Sequence, residues 1–315
     1  MKILVTGGAG FIGSHLTDRL ISMGHKVMVI DNYSTGARTN LADHNNLKIL
    51  EGTIVDAELV NIAFRNFKPE KVVHAAASYK DPSDWEEDVQ TNIIGTINIV
   101  NACKQFDVSQ LIYFQTALCY GLAPLEKPIK LNHPLFSSKS KGGSSYAISK
   151  TGGEQYIELS GLDFISFRLS NIIGPRNLSG PIATFYNRLT EGKSVFITDT
   201  KRDFVYVFDL VNVVIKAVEG IGEKGYYHIS TGLDYSIQEI FDLTISAMGY
   251  KMNGEIEKRA IGADDVFTIL VDPSKTEKDF SWKANTPIEI SVNKAVSWYK
   301  SNGVTESYTH LKLDK

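Results

Sequence analysis

The chain begins with an apolar segment, a glycine-rich turn and a second apolar segment, an arrangement that strongly constrains the fold. Residues 2–6 are mostly apolar, Gly7, Gly10 and Gly13 follow, and an amphipathic stretch leads to a second run at 26–30. This order predicts a parallel βαβ unit with a helix between the strands. The glycines let the backbone approach a pyrophosphate, and the N-terminus of the helix supplies N–H groups for it. The sequence therefore predicts a dinucleotide site.

The residues around this unit indicate which dinucleotide would bind. Asp31 ends the second apolar run, where a carboxylate accepts hydrogen bonds from ribose hydroxyls and repels a 2′-phosphate, so NAD is favoured over NADP. No Gly-Lys-Ser/Thr follows the glycines, which excludes a P-loop. Three alanines, 75–77, end a predicted strand at 71–74, and their small side chains would let a cofactor lie against the backbone.

Strand and helix patterns continue to alternate beyond the first unit. This alternation predicts an α/β protein with a Rossmann-type doubly wound parallel sheet and a smaller C-terminal α/β substrate domain. We place the NAD-binding domain at 1–171 and the substrate domain at 172–315, with some segments of the second packing back on the first. The acidic run 84–88 is interpreted as the solvated start of a helix.

Composition excludes several classes of protein. A net charge of −3 lacks the basic excess of a nucleic-acid binder. Two cysteines cannot form a disulfide framework, which favours a reducing compartment. We see neither a secretory signal nor an apolar run long enough to span a bilayer, so we expect a cytoplasmic protein without membrane insertion. We predict no metal site.

Tyr146 and Lys150 stand four residues apart on a predicted helix and therefore on one face. At ~4 Å and an effective dielectric constant of ~20, an ammonium favours a phenolate by roughly 4 kcal/mol, about three pKa units. A phenol so tuned is a usable proton-transfer catalyst near neutral pH. Alone, the pair also fits an ordinary helix surface. It gains a catalytic interpretation because the glycine turn, Asp31 and Thr116 fall at strand ends that converge on one crevice.

Together these motifs resemble the extended short-chain dehydrogenase/reductase family, in its nucleotide-sugar epimerase/dehydratase branch, over nearly the whole chain. UDP-glucose 4-epimerases are similar, and stretches 114–121 and 262–266 resemble UDP-hexose epimerase-like proteins of lipopolysaccharide O-antigen gene clusters. The residues that carry the resemblance share the spacing of family motifs: Gly7-x-x-Gly10-x-x-Gly13, His74-Ala75-Ala76-Ala77, Asn92 before Gly95-Thr96, Thr116 before Tyr120-Gly121, Tyr146-x-x-x-Lys150, Arg168-x-x-Asn171 before Gly174-Pro175, and Arg202-Asp203-Phe204-Val205.

The resemblance implies a role for each matching residue. Thr116, Tyr146 and Lys150 would be catalytic: Thr116 bonds the 4-oxygen of the sugar, Tyr146 is its acid/base, and Lys150 holds the nicotinamide ribose and lowers the pKa of Tyr146. The cofactor-binding set would be Gly7, Gly10, Phe11, Ile12, Gly13, Asp31, Asn32, Ser34, Thr53, Ile54, Ala75, Ala76, Ala77, Asn92, Tyr146 and Lys150. The substrate-binding set would be Lys80, Thr116, Asn171, Arg202 and Asp265. A surface salt bridge between Arg202 and Asp203 is the alternative for Arg202.

Departures from the family pattern narrow the chemistry. Dehydratases of this branch carry Thr-Asp-Glu where this chain has Thr116-Ala117-Leu118, and related decarboxylases carry glutamate at the Leu118 position. Thr53 replaces a frequent adenine-binding aspartate. Gly262 replaces a diphosphate-binding arginine, for which Arg259 or Lys258 is a substitute. Ile269 stands near a sugar-pocket position that is held by tyrosine in some epimerases, and its smaller side chain leaves room for an N-acetylated or uronic sugar.

These features predict an NAD-dependent UDP-hexose 4-epimerase that acts through a transient 4-keto sugar. A nucleotide-sugar 4-ketoreductase or dehydratase-like redox enzyme is the alternative, and an NAD-binding regulator is a third. The resemblance further implies a homodimer formed through helices 89–104 and 146–160.

Overall fold

A computed structural model describes residues 1–136, 144–252, 254–262, 266–304 and 307. Its main feature is a seven-stranded sheet in which all neighbouring strands are parallel. The predicted doubly wound parallel sheet is therefore confirmed. The first six of its strands in chain order are β1 Lys2–Thr6, β2 Lys26–Asp31, β3 Leu47–Glu51, β4 Lys71–His74, β5 Gln110–Thr116 and β6 Phe164–Leu169.

Shorter strands follow β6 in the chain. They are β7 Asn171–Ile173, β8 Phe196–Thr198, β9 Lys201–Arg202, β10 Phe204–Tyr206, β11 Gly225–Ile229, β12 Tyr235–Ser236, β13 Glu257–Arg259 and β14 Thr268–Ile269. β11 is the seventh strand of the large sheet, which has the order β11-β6-β5-β4-β1-β2-β3. The others form small sheets in which β7 pairs with β10, β8 pairs with β13, and β9 lies between β12 and β14.

Ten α-helices lie in the described part of the chain. They are α1 Phe11–Ser22, α2 Ala57–Phe67, α3 Trp85–Val89, α4 Thr96–Gln105, α5 Ser145–Leu159, α6 Gly180–Thr190, α7 Val207–Val218, α8 Ile237–Met248, α9 Ser274–Phe280 and α10 Ile288–Asn302. The predicted helix 89–104 is longer than expected, because a π-helical segment, Gln90–Gly95, joins α3 to α4.

Side-chain caps fix several of the helix starts. The Asp56 carboxylate accepts the N–H groups of Glu58 and Leu59 at the start of α2. Ser236 and Glu239 form a reciprocal capping box at the start of α8. The start of α1 is different: Gly10 is its N-cap and has no side-chain cap among the described residues. The first N–H groups of α1 therefore remain available to a ligand.

Strand order determines where a ligand can bind. The order reverses between β1 and β4, which lie side by side and lead to strands on opposite sides. At such a switch point a crevice opens beyond the carboxyl ends of the strands. The glycine turn after β1 and the alanines after β4 are placed at this crevice.

Two segments of the C-terminal half belong structurally to the N-terminal half. β11 extends the large sheet beside β6, and α7 packs against α1. α7 supplies Leu210, Val211, Val214 and other buried residues to the core that covers one face of the sheet. The proposed division at 171 therefore separates the chain only in part, with β11 and α7 among the segments that pack back.

Candidate active site

A crevice at the switch point has two connected parts, which we call the outer cleft and the inner cavity. The outer cleft, about 690 Å³, runs from the glycine turn past the end of β2. The inner cavity, about 300 Å³, reaches from Phe11 toward the start of α5 and on to Arg202. The two share one wall, formed by Phe11, Ile12, Ala75, Ala77, Tyr79, Asp81 and Pro82.

The glycine turn fits a dinucleotide because no larger residue could occupy it. Gly7 has φ +67°, and a Cβ there would lie 2.7 Å from the backbone of Ala76. A Cβ on Gly13 would lie 2.1 Å from the carbonyl oxygen of Gly7. The turn is thus folded tightly on itself, and the uncapped N-terminus of α1 faces the cleft with its N–H groups. This arrangement suits a pyrophosphate.

Asp31 has a structural role beside its predicted role in binding. Its Oδ2 accepts the N–H of Ala9 at 2.8 Å and its Oδ1 accepts the N–H of Tyr33 at 2.8 Å, so it holds the glycine turn in place. Burial raises the pKa of this carboxyl, while the N–H groups of Ala9, Tyr33 and Gly10 oppose that rise. Carboxylate oxygens can accept further hydrogen bonds, so Asp31 can still accept from a ribose.

Nearly all of the predicted cofactor-binding residues line the crevice. Those on the outer cleft are Gly7, Gly10, Phe11, Ile12, Gly13, Asp31, Asn32, Ser34, Thr53, Ile54, Ala75, Ala76 and Ala77, and those on the inner cavity include Tyr146 and Lys150. Asn92 is not among the lining residues that the structure describes. It is buried behind the wall, where its Nδ2 donates to Ser149 Oγ at 3.0 Å and its Oδ1 accepts the N–H of Ser78 at 3.0 Å. Asn92 thus ties the β4 loop to α5.

The three predicted catalytic residues lie together on the inner cavity. Thr116 ends β5, and its Oγ1 accepts the N–H of Leu118 at 3.1 Å, so its hydroxyl hydrogen is available to a ligand. Tyr146 lies in the first turn of α5, which Ser144 caps. Lys150 lies one turn further and is 2% exposed.

The expected effect of Lys150 on Tyr146 is absent in this state. Burial, with Tyr79 and Asp88 as lesser causes, raises the pKa of Tyr146, whereas the sequence predicted a lowered pKa. The physical reason is the burial of the phenol. The Lys150 ammonium lies 4.0 Å from the centre of the Tyr113 ring. Burial also lowers the pKa of Lys150 to about 7, opposed by the Glu154 carboxylate. In this structure Lys150 therefore does not offset the burial of Tyr146.

Glu154 belongs to a buried polar network behind the cavity. Its Oε2 accepts from Arg168 Nη2 at 2.8 Å, and both side chains are at most 5% exposed. Arg168 Nη1 donates to the Tyr120 hydroxyl at 2.7 Å, and that hydroxyl lies 2.6 Å from His228 Nε2. The network connects α5, β6, β11 and the turn after Thr116, so it fixes the elements that carry the catalytic residues.

The predicted substrate residues are spread over the crevice. Arg202 and Asn171 line the inner cavity, while Lys80 lines the outer cleft. Arg202 Nη1 donates to the carbonyl oxygens of Lys201 and Val266, at 2.7 and 2.8 Å. Asp203 is fully buried and accepts hydrogen bonds from Ser170 and Thr231. It is therefore not available for the surface salt bridge with Arg202 that the sequence left as the alternative.

The missing diphosphate arginine has no visible substitute in the parts of the chain that the structure describes. The Arg259 guanidinium stacks 3.9 Å from the centre of the Phe196 ring and bonds Glu257 at 2.7 Å. Neither Arg259 nor Lys258 is among the residues lining the inner cavity. The predicted substrate residue Asp265 lies outside the described residues.

Two further residues of the inner cavity were not predicted. Asp88, expected at a solvated helix start, is 2% exposed and lines the cavity. Gln115, next to Thr116, is 1% exposed and also lines the cavity. The sequence contains no signal for the burial of Asp88, which stands in an acidic run at the start of α3. The position of Gln115 at a strand end was an available signal.

Comparison with known proteins shows the family to which this chain is similar. A model of the NAD dependent epimerase/dehydratase family matches residues 3–230. A putative UDP-glucose 4-epimerase of Methanocaldococcus jannaschii is 31% identical, over 96% of this chain and 100% of its own length. Among the described residues, no helix is both long and apolar enough to cross a membrane.

Solved structures resemble the fold closely. The Bordetella bronchiseptica enzyme WbmH in complex with NAD⁺ superposes with a TM-score of 0.91 and 47% identity, over 96% of this chain and 99% of WbmH. WbmG of the same organism, in complex with NAD and UDP, superposes with a TM-score of 0.89 and 42% identity, over 99% of each chain. The lengths of the chains therefore correspond almost throughout.

Proposed function

Since this chain belongs to the NAD dependent epimerase/dehydratase family, whose cofactor is NAD, we propose that it is a UDP-hexose 4-epimerase. The outer cleft holds the dinucleotide and the inner cavity holds the sugar. One observation carries the proposal: Thr116, Tyr146 and Lys150 line a single cavity that shares a wall with the glycine-turn cleft.

The proton-transfer half of the reaction falls to Tyr146. Its phenolate takes the proton of the 4-hydroxyl, and the resulting phenol later returns a proton to the same oxygen. Thr116 donates a hydrogen bond to that oxygen, because the bond that its Oγ1 accepts from the N–H of Leu118 leaves the hydroxyl hydrogen free. These two residues hold the reacting oxygen at a fixed place on the wall.

Lys150 completes the site as a buried cation. Its ammonium donates to the nicotinamide ribose and moves toward Tyr146 when the crevice is filled, which lowers the pKa of the phenol. When bound, NAD supplies the acceptor and later the donor of the hydride at carbon 4, so the sugar passes through a transient 4-keto form. Return of the hydride to the opposite face inverts that carbon.

Residues at the far end of the inner cavity would hold the nucleotide. Arg202 and Asn171 bind the diphosphate there, since a guanidinium stays charged and donates in pairs. The UDP that accompanies NAD in the WbmG structure supports UDP as the nucleotide. With affinity placed on the UDP, the sugar is free to turn over in the cavity between the two hydride transfers.

The residues that follow Thr116 disfavour elimination and decarboxylation. Ala117 and Leu118 follow it in the turn, and neither side chain can act as an acid or a base. Elimination of water from carbons 5 and 6 requires both. Reversible oxidation at one carbon requires a single acid/base, which Tyr146 supplies.

The experiment is incubation of the purified protein with UDP-glucose, UDP-galactose, UDP-GlcNAc, UDP-GalNAc and the corresponding uronates, without added NAD. Conversion within any one pair, with no free cofactor released, supports the epimerase. Turnover that depends on added NAD and releases NADH would instead indicate a 4-ketoreductase running in its oxidative direction. NAD binding without turnover of any of these sugars would indicate a regulator.

We further propose a homodimer. Exposed apolar side chains lie on the consecutive helices α3 to α4 and on α5, among them Val89, Ile94, Ile148, Tyr156 and Leu159. Paired against a second copy, these helices would form a four-helix interface. Sedimentation velocity of the wild type and of Leu159→Glu tests this: the wild type should sediment as a dimer and the variant as a monomer at the same concentration.

A further inference from the structure

Five buried polar residues form a continuous row of hydrogen bonds behind the wall of the crevice, and each is at most 1% exposed. They are Thr6, His74, Thr96, Asn92 and Ser149. None of the five is among the described residues that line the outer cleft or the inner cavity. The row begins at the backbone N–H of Ala76 and ends at the backbone oxygen of Tyr146, so it joins the cofactor wall to the helix of the proton-transfer residue.

The hydroxyl of Thr96 determines the direction of these hydrogen bonds. Its Oγ1 lies 2.7 Å from the backbone oxygen of Asn92, and because a carbonyl oxygen can only accept, Thr96 is the donor. The hydrogen of Thr96 is then used. His74 Nε2, 2.9 Å from Thr96 Oγ1, therefore carries a hydrogen of its own and donates it to that oxygen.

The other nitrogen of His74 is an acceptor because the ring is neutral. Burial, with the Lys150 ammonium as a lesser cause, lowers the pKa of His74 to about 3. Since Nε2 carries the only ring hydrogen, Nδ1 accepts the hydrogen of Thr6 Oγ1, which lies 2.7 Å away. Thr6 Oγ1 in turn accepts the N–H of Ala76 at 3.2 Å. Both threonine hydroxyls thus donate once and accept once.

One end of the row holds the cofactor wall against the glycine turn. Thr6 and His74 are paired in register at the ends of β1 and β4, the two strands of the switch point. The N–H that Thr6 accepts belongs to Ala76, which lines the outer cleft. A Cβ on Gly7 would lie only 2.7 Å from that same backbone nitrogen. The row therefore fixes a contact that leaves no space for a side chain.

The other end of the row reaches α5. Asn92 Nδ2 donates to Ser149 Oγ at 3.0 Å, and Ser149 Oγ donates to the backbone oxygen of Tyr146 at 3.0 Å. α5 also packs directly on the row at Gly153, where a Cβ would lie 2.6 Å from the backbone oxygen of Asn92 and 3.1 Å from Thr96 Oγ1. Packing thus prevents α5 from moving closer to the row, and the hydrogen bonds oppose its moving away.

We propose that His74 is a positioning residue, which as a neutral imidazole with its hydrogen on Nε2 holds the cofactor wall at Ala76 and the Tyr146 helix at one fixed separation. The inference rests on the proposed epimerase function, to which it adds a residue that acts through Thr6 and Thr96. A displacement of about 1 Å in an active site can lower the rate about 100-fold, so a fixed separation has a direct effect on kcat.

Paired substitutions of Thr96 distinguish hydrogen bonding from packing. Thr96→Val keeps the shape and removes the hydroxyl, whereas Thr96→Ser keeps the hydroxyl and removes a methyl group. Thr96→Val should lower kcat about 10- to 100-fold with little change in KM for the UDP-sugar, and Thr96→Ser should remain near the wild-type kcat. If only packing matters, Thr96→Ser is the more impaired because it leaves a cavity. That order, or equal kcat in the two variants, overturns the inference.

Thr244 provides the matched control. Its hydroxyl is fully buried and donates to the backbone oxygen of Ile240 at 2.6 Å, the same four-residue bond that Thr96 makes. It lies on α8 and is not among the described residues that line the crevice. Thr244→Val should therefore leave kcat unchanged. An equal fall in kcat in Thr244→Val and Thr96→Val would overturn the inference, because the loss of any buried hydroxyl would then be sufficient.

Nitrogen NMR tests the tautomer without turnover. In protein labelled with ¹⁵N-histidine, the ring signals of His74 are those absent from His74→Gln, and couplings to the ring C–H hydrogens show which nitrogen is protonated. If His74→Gln does not fold, the ring signals that shift in Thr96→Ser give the assignment. A neutral ring with its hydrogen on Nε2 is expected. A hydrogen on Nδ1, or on both nitrogens, overturns the inference whether or not the protein epimerises a sugar.

The outcomes separate this inference from the proposed function. If sugars are epimerised and Thr96→Val retains the wild-type kcat, the inference fails and the epimerase proposal stands. If no sugar is epimerised, the rate at which bound NAD leaves the protein replaces kcat. Thr6→Val, which removes the bond to Ala76, should then release NAD about tenfold faster than Thr6→Ser. Equal rates of release in the two variants overturn the inference.

Discussion

The ammonium of Lys150 lies over the ring of Tyr113, 4.0 Å from its centre. The hydroxyl of Tyr113 in turn donates to the backbone oxygen of Lys150 at 3.0 Å. Tyr113, a buried residue of β5, thus contacts both the side-chain ammonium and the backbone oxygen of Lys150. Cation–π contacts of desolvated groups contribute about 2 kcal/mol, which is large for a single contact.

Substitution of Tyr113 should separate its two contacts. Tyr113→Phe keeps the ring and removes one hydrogen bond, so we expect a loss of about 1 kcal/mol in the free energy of unfolding and nearly unchanged kcat. Tyr113→Leu removes the ring and should cost about 3 kcal/mol or more and lower kcat at least about tenfold. Urea unfolding and steady-state kinetics measure both. Equal kcat in the two variants would show that the ring does not position Lys150.

Lys150 should make stability depend on pH. Its pKa is about 7 when folded and 10.5 in the reference state, so the unfolded chain binds more protons between these values. The destabilisation is fully present below about pH 7 and fades as the pH rises toward 10.5. In the cofactor-free protein, Lys150→Met should therefore be stabilising, and by more at pH 6 than at pH 9. Denaturant unfolding at both pH values checks the sign, and a larger gain at pH 9 would contradict it.

Tyr146→Phe should remove epimerisation without unfolding the protein. General acid–base catalysis contributes about 10²- to 10⁴-fold, so kcat should fall by that factor. Tyr156→Phe, on the exposed face of the same helix, is the matched control and should retain wild-type kcat. Retained activity in Tyr146→Phe would assign the proton transfer to another residue of the inner cavity, with Asp88 the first to test.

Gly13→Ala should abolish NAD binding. The added methyl group would lie 2.1 Å from the carbonyl oxygen of Gly7, a backbone atom that can move only if the turn opens. Gly152→Ala is the control, since its methyl would meet only the end of the Ile93 side chain, at 3.1 Å. Cofactor content after acid release should fall to near zero in the first variant only. Normal content in Gly13→Ala would exclude the tight turn as the pyrophosphate site.

Removal of the Glu154 carboxylate should strongly destabilise the fold. Glu154→Met leaves Arg168 charged and buried without its ionic partner, which costs about 3–5 kcal/mol. Glu191→Gln breaks an exposed pair with Lys193 and should cost no more than about 1 kcal/mol. Thermal and urea unfolding compare the two. Similar losses in both variants would mean that burial of the Arg168 pair is unimportant.

Much of the crevice could be predicted because parallel sheets place the ends of their strands together. The glycine turn, Asp31, the alanines after β4 and Thr116 each follow a recognisable strand, so their proximity follows from topology alone. The sequence could not place Asp88. An acidic run at a helix start is typical of a solvated surface, and only the packing of α3 against α5 makes one of its carboxylates a buried cavity residue.

The direction of the shift in the pKa of Tyr146 also could not be predicted from the sequence. Spacing on a helix places Lys150 one turn from Tyr146, but the ammonium sits at the end of a flexible chain. Its position depends on the Tyr113 ring, which comes from another strand. Burial of the phenol, a property of the packed structure, then decides the sign.

The seventh strand of the sheet, β11, has a consequence for how the molecule can be divided. A protein truncated after residue 171 would leave β6 as an unpaired edge and expose the face of α1 that α7 covers. The two halves are therefore interwoven rather than joined by a hinge. β11 is paired with β6, and α7 packs against α1, so these C-terminal segments cannot separate from the large sheet without breaking strand pairing and opening a buried core.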